Sequence, residues 1–441
     1  AFDFSFLDLF LTQARERGLH AVLLWFGTWK NSSPAYAPQW VKLDDAQFPR
    51  VVDPRGRRMP SLSPLAQATL AADRAAFVAL MTHLKAVDRE RTVIMVQVEN
   101  ETGTYGSVRD YSPMAQRAFE GGVPRQLVQA LRTRSGTWRE VFGAQADEFF
   151  HAWNIARFVQ QVAAAGKAVY PLPMYVNAAL RDPLHPGAPI TYESGGPTDD
   201  VLGVWKAGAP AIDFIAPDIY MPEYARYTKV LDLYGRKDNA LLVAETGSRQ
   251  PYARYLFATL GHQGIGFSPF GMDFTGYSNY PLGAPVVDAK TLAPFALEYR
   301  LVGPMASQVA ALSYQGNLFG VAEDSAVHAQ TIDLGKWKAV VSYGLPAFGN
   351  GVPAGNPVPE GGVLIGRLGP DEFLVAAVHA RVSFELADAG SGRQVQYARV
   401  EEGSYEHGQW QSMRVWNGDQ VDWGFNFTSM PQVLHVKLAT Y

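Results

Sequence analysis

Nearly continuous apolar runs alternate with amphipathic stretches over the first 315 residues of the chain. Apolar residues spaced three and four apart predict helices, and continuous apolar runs predict strands buried on both faces. The helices are predicted at 6–18, 66–87, 147–166, 224–234, 251–261 and 291–314. The strands are predicted at 20–27, 92–98, 168–176, 212–220, 240–244 and 264–270. Strands that alternate with helices in this way predict an α/β fold with a parallel sheet.

The pattern changes after about Gln315, where short alternating segments are separated by turn residues. Examples are 338–343, 373–378 and 433–438. This pattern predicts an antiparallel β-sandwich. We therefore predict two domains, a (β/α)-barrel at 1–315 that carries the functional site and a C-terminal β-sandwich at 316–441.

Composition narrows the classes of function. Net charge is -4 and no basic stripe is present, which disfavours nucleic-acid binding. No run of 18 apolar residues is present, so no membrane-spanning helix is expected. The chain contains no cysteine, which excludes disulfides, thiolate metal sites and a cysteine nucleophile.

Two predicted strands end in glutamate. The run Val96–Glu101 closes the second strand with two carboxylates and an amide, and Glu245 closes the fifth. Buried carboxylates are costly and need partners or a function. Because the carboxyl ends of barrel strands meet on one face, we expect Glu101 and Glu245 to face one cleft.

Two carboxylates across a cleft suffice for glycoside hydrolysis, one as acid and one as nucleophile. A separation of about 5–5.5 Å accompanies retention of configuration, and ~6.5–9.5 Å accompanies inversion. The alternative is that each glutamate only caps a strand end by binding loop amides. Strict alternation also places Asn100 on the face opposite Glu99 and Glu101. Asn100 and Glu101 therefore both reach the cleft only if the strand end is irregular.

The stretch 96–103, VQVENETG, resembles the acid/base motif VQVENEYG of glycoside hydrolase family 35, the β-galactosidases. The opening FDF and the later GLH of 18–20 are similar to the family's segment before its third barrel strand. The resemblance covers roughly residues 1–310 and implies a retaining (β/α)₈ barrel. It implies that Glu101 is the acid/base, that Asn100 contacts the sugar 2-hydroxyl, and that Glu245 is the nucleophile.

The chain departs from the family pattern in three places. If 20–27 is strand three, the first two barrel strands are missing. We therefore expect either that this sequence lacks a natural N-terminal segment or that its numbering begins after that segment. The loop 24–31 (LWFGTWKN) lacks the family's RPGPYICAEW, and Thr102 replaces the motif's tyrosine. These differences indicate a divergent branch. They leave open another sugar (β-arabinoside, β-fucoside or β-mannoside) and a catalytically inactive carbohydrate-binding protein.

Other residues are weaker candidates for substrate binding. Family 35 belongs to a large clan of retaining (β/α)₈ hydrolases, and the resemblance to it implies that Tyr220 hydrogen-bonds the nucleophile, as a tyrosine at this place often does in that clan. Asn177 ends a predicted strand, where it can hydrogen-bond a sugar hydroxyl. Trp25 and Trp29 either stack on sugar faces or belong to the core.

We predict an exo-acting retaining β-glycosidase, first of all a β-galactosidase, whose partner is a glycoside or oligosaccharide. No cofactor is expected, and no metal either, because the nine histidines show no ligand motif. The resemblance implies a periplasmic or secreted location, and the oligomeric state stays open.

Overall fold

A computed structural model describes residues 2–273, 280–344 and 353–441. The chain forms two compact units, Ala1–Asp218 and Ile219–Tyr441. The domain boundary predicted at 315/316 lies inside the second unit, and it stays a prediction.

Parallel strands form the centre of the first unit. Its strands are β1 (Ala21–Lys30), β2 (Arg50–Val52), β3 (Arg58–Leu62), β4 (Val93–Asn100), β5 (Met174–Ala179) and β6 (Phe214–Ile219). Strands β1, β4, β5 and β6 pair side by side in parallel, and β2 pairs with β3 in antiparallel fashion. The helices are α1 (Ser5–Glu16), α2 (Gln39–Lys42), α3 (Gln67–Val87), α4 (Pro113–Phe119), α5 (Arg125–Ala130), α6 (Trp138–Phe142), α7 (Ala146–Val169) and α8 (Leu202–Gly208).

The longest helices of this unit, α3 and α7, pack closely against each other. Gly166 of α7 lies against Phe77 and Met81 of α3, and both of these side chains are fully buried. The predicted strand 168–176 begins only at Met174, because α7 continues to Val169. Periodicity alone does not separate the end of a buried helix from the start of a buried strand.

The second unit begins with the same alternation of helix and parallel strand. Strands β7 (Leu242–Thr246) and β8 (Gly266–Pro269) pair in parallel. The helices are α9 (Tyr224–Tyr234), α10 (Gln250–Ala253), α11 (Tyr255–Gly261), α12 (Ala289–Val302) and α13 (Ala306–Tyr314). The predicted helix 251–261 is two helices that meet at Arg254.

Antiparallel strands form the rest of the second unit. They are β9 (Leu318–Ala322), β10 (Ala329–Asp333), β11 (Trp337–Tyr343), β12 (Gly362–Gly369), β13 (Glu372–Val378), β14 (Ala380–Leu386), β15 (Val395–Glu406), β16 (Gln409–Val415), β17 (Phe425–Phe427) and β18 (Gln432–Thr440). One sheet has the order β10-β11-β14-β17, and the other has the order β16-β15-β18-β13-β12-β9.

An apolar cluster joins these two sheets. It contains Trp337 and Val341 from the first sheet and Phe373, Val375 and Leu434 from the second. Two antiparallel sheets that share one core form a sandwich. The predicted fold class, α/β with parallel strands followed by a β-sandwich, is confirmed. Within the described residues, no helix combines the length and the apolar character that crossing a bilayer requires.

Candidate active site

The carboxyl end of β4 is irregular, as the sequence required. Glu99 has φ of 64° and Glu101 has φ of 45°, both in the left-handed region that residues other than glycine rarely adopt. The left-handed conformations of these two residues interrupt the strict alternation of side chains between the two faces of the strand. Asn100 and Glu101 consequently join one hydrogen-bond network, whereas Glu99 is directed to the interior.

Glu99 supports the strand end from inside the first unit. Its carboxyl group is fully buried and accepts hydrogen bonds from the backbone N–H groups of Thr28, at 2.9 Å, and Trp29, at 2.7 Å. Burial raises the pKa of Glu99 well above its usual value, and neighbouring Asp73 raises it further. Asp73 in turn accepts from the Trp25 indole, at 2.8 Å, and from the Thr28 hydroxyl, at 2.5 Å. The pair thus ties β1 and α3 to the end of β4.

Glu101 is held by amide side chains on the same face. Its backbone N–H donates to Asn177 Oδ1 at 2.9 Å, and one of its carboxylate oxygens lies 3.4 Å from Asn100 Nδ2. Asn177 Nδ2 donates to Asn100 Oδ1 at 3.1 Å. The structure therefore brings three predicted site residues, Asn100, Glu101 and Asn177, into one network. Glu101 is half-buried, whereas both asparagines are buried.

Two residues of this network were missed by the sequence analysis. Asp218, in β6, accepts a 2.7 Å hydrogen bond from Asn177 Nδ2 and has a carboxylate oxygen within 4.8 Å of one from Glu101. Its signal was a lone carboxylate in an apolar strand, the same signal that pointed to Glu245. Asn31, just after β1, accepts from Asn100 Nδ2 at 3.1 Å. Nothing in the local sequence distinguishes Asn31 from an ordinary loop residue.

Glu245 lies at the end of β7 in the second unit and is half-buried. The hydroxyl of Tyr220 donates to Glu245 Oε2 at 2.7 Å, which is the contact implied by the resemblance. Tyr252 fixes Tyr220 in turn, because its hydroxyl donates to the Tyr220 carbonyl at 2.7 Å. The ring of Phe270 packs edge-on against Tyr220, with ring centroids 5.9 Å apart. The carboxylate therefore has a defined orientation.

The two tryptophans that the sequence offered as substrate-stacking candidates lie in different surroundings. Trp29 is 1% exposed and packs edge-on against Phe158 of α7, as the core alternative predicted. Trp25 is half-buried and lines a cavity of about 570 Å³ within the first unit. Its indole N–H is already used by Asp73. The substrate-stacking role of either ring stays a prediction.

Comparison with known proteins gives one family match. A domain of unknown function, DUF5597, matches residues 295–428, a segment that begins in α12 and ends just after β17. The match therefore crosses the boundary predicted at 315/316. No curated protein matches the sequence. The resemblance to glycoside hydrolase family 35 stays a prediction.

Solved structures similar to this one include several glycoside hydrolases. The β-galactosidase from Bacillus circulans sp. alkalophilus is 12% identical with a TM-score of 0.48, over 68% of this chain and 49% of that chain. The β-xylosidase from Caulobacter crescentus CB15 is 13% identical with a TM-score of 0.39, over 99% and 85%. The catalytic domain of β-amylase from Paenibacillus polymyxa is 13% identical with a TM-score of 0.36, over 55% and 73%. The chain thus spans about half the length of the β-galactosidase that it matches.

Proposed function

We propose that this protein is a retaining exo-β-glycosidase in which Glu101 is the general acid/base and Glu245 is the nucleophile. β-Galactosides are the first substrates to test, because the stretch VQVENETG resembles the β-galactosidase motif. One observation carries the proposal. Each of two parallel strands ends in a half-buried glutamate whose carboxylate or backbone is held by neighbouring polar side chains.

The surroundings of Glu101 suit an acid/base. The adjacent Asn100 amide can contact a sugar hydroxyl while it also borders the Glu101 carboxyl group. A general acid must hold its proton within hydrogen-bond reach of the departing oxygen. The Asn177 bond to the Glu101 backbone keeps this residue in its unusual left-handed conformation.

The surroundings of Glu245 suit a nucleophile. A carboxylate that attacks carbon has to be presented in one orientation, since a small misalignment of reacting atoms slows a reaction strongly. The Tyr220 hydroxyl fixes Oε2 of Glu245, and Tyr252 holds the Tyr220 backbone. This support is more elaborate than the capping of a strand end requires.

The proposed reaction has two displacements. Glu245 attacks the anomeric carbon and forms an ester to the sugar, while the bond to the aglycone oxygen breaks and Glu101 gives that oxygen a proton. Glu101 then removes a proton from water, which attacks the anomeric carbon and displaces Glu245. The sugar is released with its original configuration, and both glutamates return to their starting states.

The test is hydrolysis of 4-nitrophenyl β-galactoside by the wild type and by Glu101→Gly and Glu245→Gly, each with and without azide. We expect Glu101→Gly to lose about 10²–10⁴-fold in rate, the usual contribution of general acid–base catalysis. Azide is expected to restore Glu101→Gly with a β-glycosyl azide product and Glu245→Gly with an α-glycosyl azide product. Glu90→Gly is the matched control, because Glu90 is exposed at the end of a surface turn.

Three outcomes would change the proposal. Full activity of Glu245→Gly would show that the nucleophile is assigned wrongly. Activity on another nitrophenyl sugar, with none on galactoside, would move the specificity to that sugar. A wild type that hydrolyses no nitrophenyl sugar but binds one would make it a carbohydrate-binding protein.

A further inference from the structure

Asp218 is a buried carboxylate that the proposed reaction does not use directly. It is 3% exposed and belongs to β6, among apolar neighbours. Its Oδ2 accepts a short hydrogen bond, 2.7 Å, from Asn177 Nδ2. Burying a charge is costly unless the charge is paired or hydrogen-bonded. An ionised carboxylate at 218 can only accept and so requires a donor from Asn177, whereas an amide at this position could present either an acceptor or a donor.

This bond decides which way the Asn177 side chain points. An asparagine amide has an accepting oxygen and a donating nitrogen of similar size, so its neighbours choose between two orientations. Asp218, when ionised, only accepts, and the backbone N–H of Glu101 only donates. In the observed orientation, Asn177 donates to Asp218 and accepts from Glu101. The reverse orientation would face oxygen with oxygen and N–H with N–H.

The same logic continues to Asn100. Asn177 Nδ2 donates to Asn100 Oδ1, which leaves the Asn100 amino group directed to Asn31 and to the Glu101 carboxylate. Gln97 Nε2 also donates to Asn100 Oδ1, at 3.1 Å, so Asn100 has a second anchor. The Glu101 backbone is held at its N–H by Asn177 Oδ1 and at its carbonyl by the Ser32 N–H, at 3.3 Å. Of these two bonds, Asp218 acts on the one from the Glu101 N–H, because it orients the Asn177 side chain that accepts this bond.

We propose that Asp218 is a positioning residue for the acid/base Glu101 and that it acts through the orientation of Asn177. This inference rests on the proposed function of Glu101. Asp218 does not itself donate or remove a proton in the reaction. It holds Asn177 with its oxygen toward the Glu101 backbone, and that bond keeps Glu101 aimed at the departing oxygen.

A positioning role of this kind affects the protonation of the leaving group more than the other steps of the reaction. Proton donation matters for a poor leaving group such as phenoxide and little for 2,4-dinitrophenoxide, which leaves without a proton. A variant that misplaces Glu101 should therefore lose more kcat/KM on a phenyl glycoside than on a 2,4-dinitrophenyl glycoside. General damage to the fold would lower both values together.

The experiment compares Asp218→Asn, Asn177→Ala and the double variant on both glycosides of the sugar that the wild type hydrolyses. We expect Asp218→Asn to lose about 10–100-fold on the phenyl glycoside and less than about 3-fold on the dinitrophenyl glycoside, on the scale of general acid catalysis. The double variant should lose no more than the worse single variant, because residues that act through one contact are not additive.

Asp213→Asn is the matched control. Asp213 directly precedes the first residue of β6. Its carboxylate accepts a hydrogen bond from the Met174 N–H at 2.7 Å and pairs with Lys167. This variant should change both glycosides equally. Equal losses for Asp218→Asn on both glycosides, or losses that multiply in the double variant, would overturn the positioning role and leave the proposed function standing.

A second readout does not depend on turnover. In protein labelled with ¹⁵N-asparagine, the side-chain amide signal absent from Asn177→Ala belongs to Asn177. That signal should shift in Asp218→Asn, because its acceptor has changed from a carboxylate to an amide. An unshifted signal would overturn the inference. A wild type inert on every glycoside would instead overturn the proposed function, and the acid/base role with it.

Discussion

At the scale of single residues, hydrogen bonds hold Tyr220 firmly beside the proposed nucleophile. Its hydroxyl donates to Glu245 at 2.7 Å, and its own carbonyl accepts from Tyr252 at 2.7 Å. The Thr246 hydroxyl also donates to the Ile219 carbonyl at 2.8 Å, which fixes the backbone beside both residues. The contact is therefore built by the surrounding fold rather than by a flexible side chain.

We expect Tyr220→Phe to lower kcat/KM about 10–100-fold, because a hydrogen bond to a charged group contributes about 1.5–3 kcal/mol. The thermal midpoint should change little, since the ring and its contact with Phe270 are retained. Steady-state kinetics and a melting curve test this, with Tyr314→Phe as a control on a ring that is 94% exposed. Unchanged kinetics would mean that the contact has no catalytic role.

At the scale of elements, one glycine sets how closely α3 and α7 approach. A Cβ atom at Gly166 would lie 2.3 Å from the Phe77 ring and 3.1 Å from Met81 Cγ. Neither side chain can move away easily, because both are fully buried. The absence of a side chain at Gly166 is therefore a packing requirement, although alanine is otherwise the better helix former.

We expect Gly166→Ala to destabilise the protein by about 1–3 kcal/mol, the usual cost of overpacking a core. Gly303→Ala is the control, because Gly303 has helical backbone angles and no atom within 4 Å of its added Cβ. Denaturant unfolding measures both variants. Phe77→Leu in the Gly166→Ala background should recover part of the loss, and a failure to recover any would place the strain elsewhere.

At the scale of the whole molecule, stability should depend on pH through buried carboxyl groups. Burial and, to a smaller extent, nearby Asp200 together raise the pKa of Glu148 on α7 to about 7, although the hydrogen bond from Tyr192 acts in the opposite direction. The unfolded chain releases this proton near the ordinary value of about 4.5. The folded state thus holds a proton that the unfolded state lacks, and stability falls as pH rises from about 4.5 through 7.

We expect the difference in unfolding free energy between Glu148→Gln and the wild type to change with pH. From pH 5 to pH 8 it should shift in favour of the variant by up to about 3 kcal/mol, at about 1.4 kcal/mol for each unit of pKa shift. Glutamine keeps the shape and can still accept from the Tyr192 hydroxyl. Unfolding free energies of both proteins across this range test the prediction, with exposed Glu90→Gln as the control. A constant difference across the range would contradict it.

Local pattern was sufficient for much of the candidate site. Glu101 and Glu245 were identified because each is a carboxylate that closes an apolar strand, and this signal needs no knowledge of distant contacts. Asp218 carried the same signal but lay inside the predicted strand rather than at its end. Trp29 could be placed in the core only once its partner Phe158, on a helix far away in sequence, was known.

The sequence by itself determined the alternation of parallel strands and helices, the antiparallel sandwich and the two strand-end glutamates. Each of these follows from the spacing of apolar residues within one segment, since a buried strand or helix face must be apolar wherever it lies. The tertiary structure alone decided that Glu99 turns inward to bind the backbone of Thr28 and Trp29, and that Asp218 orients Asn177 beside Glu101. These contacts join residues 41 to 76 positions apart, and the direction of a hydrogen bond depends on which groups the fold brings together.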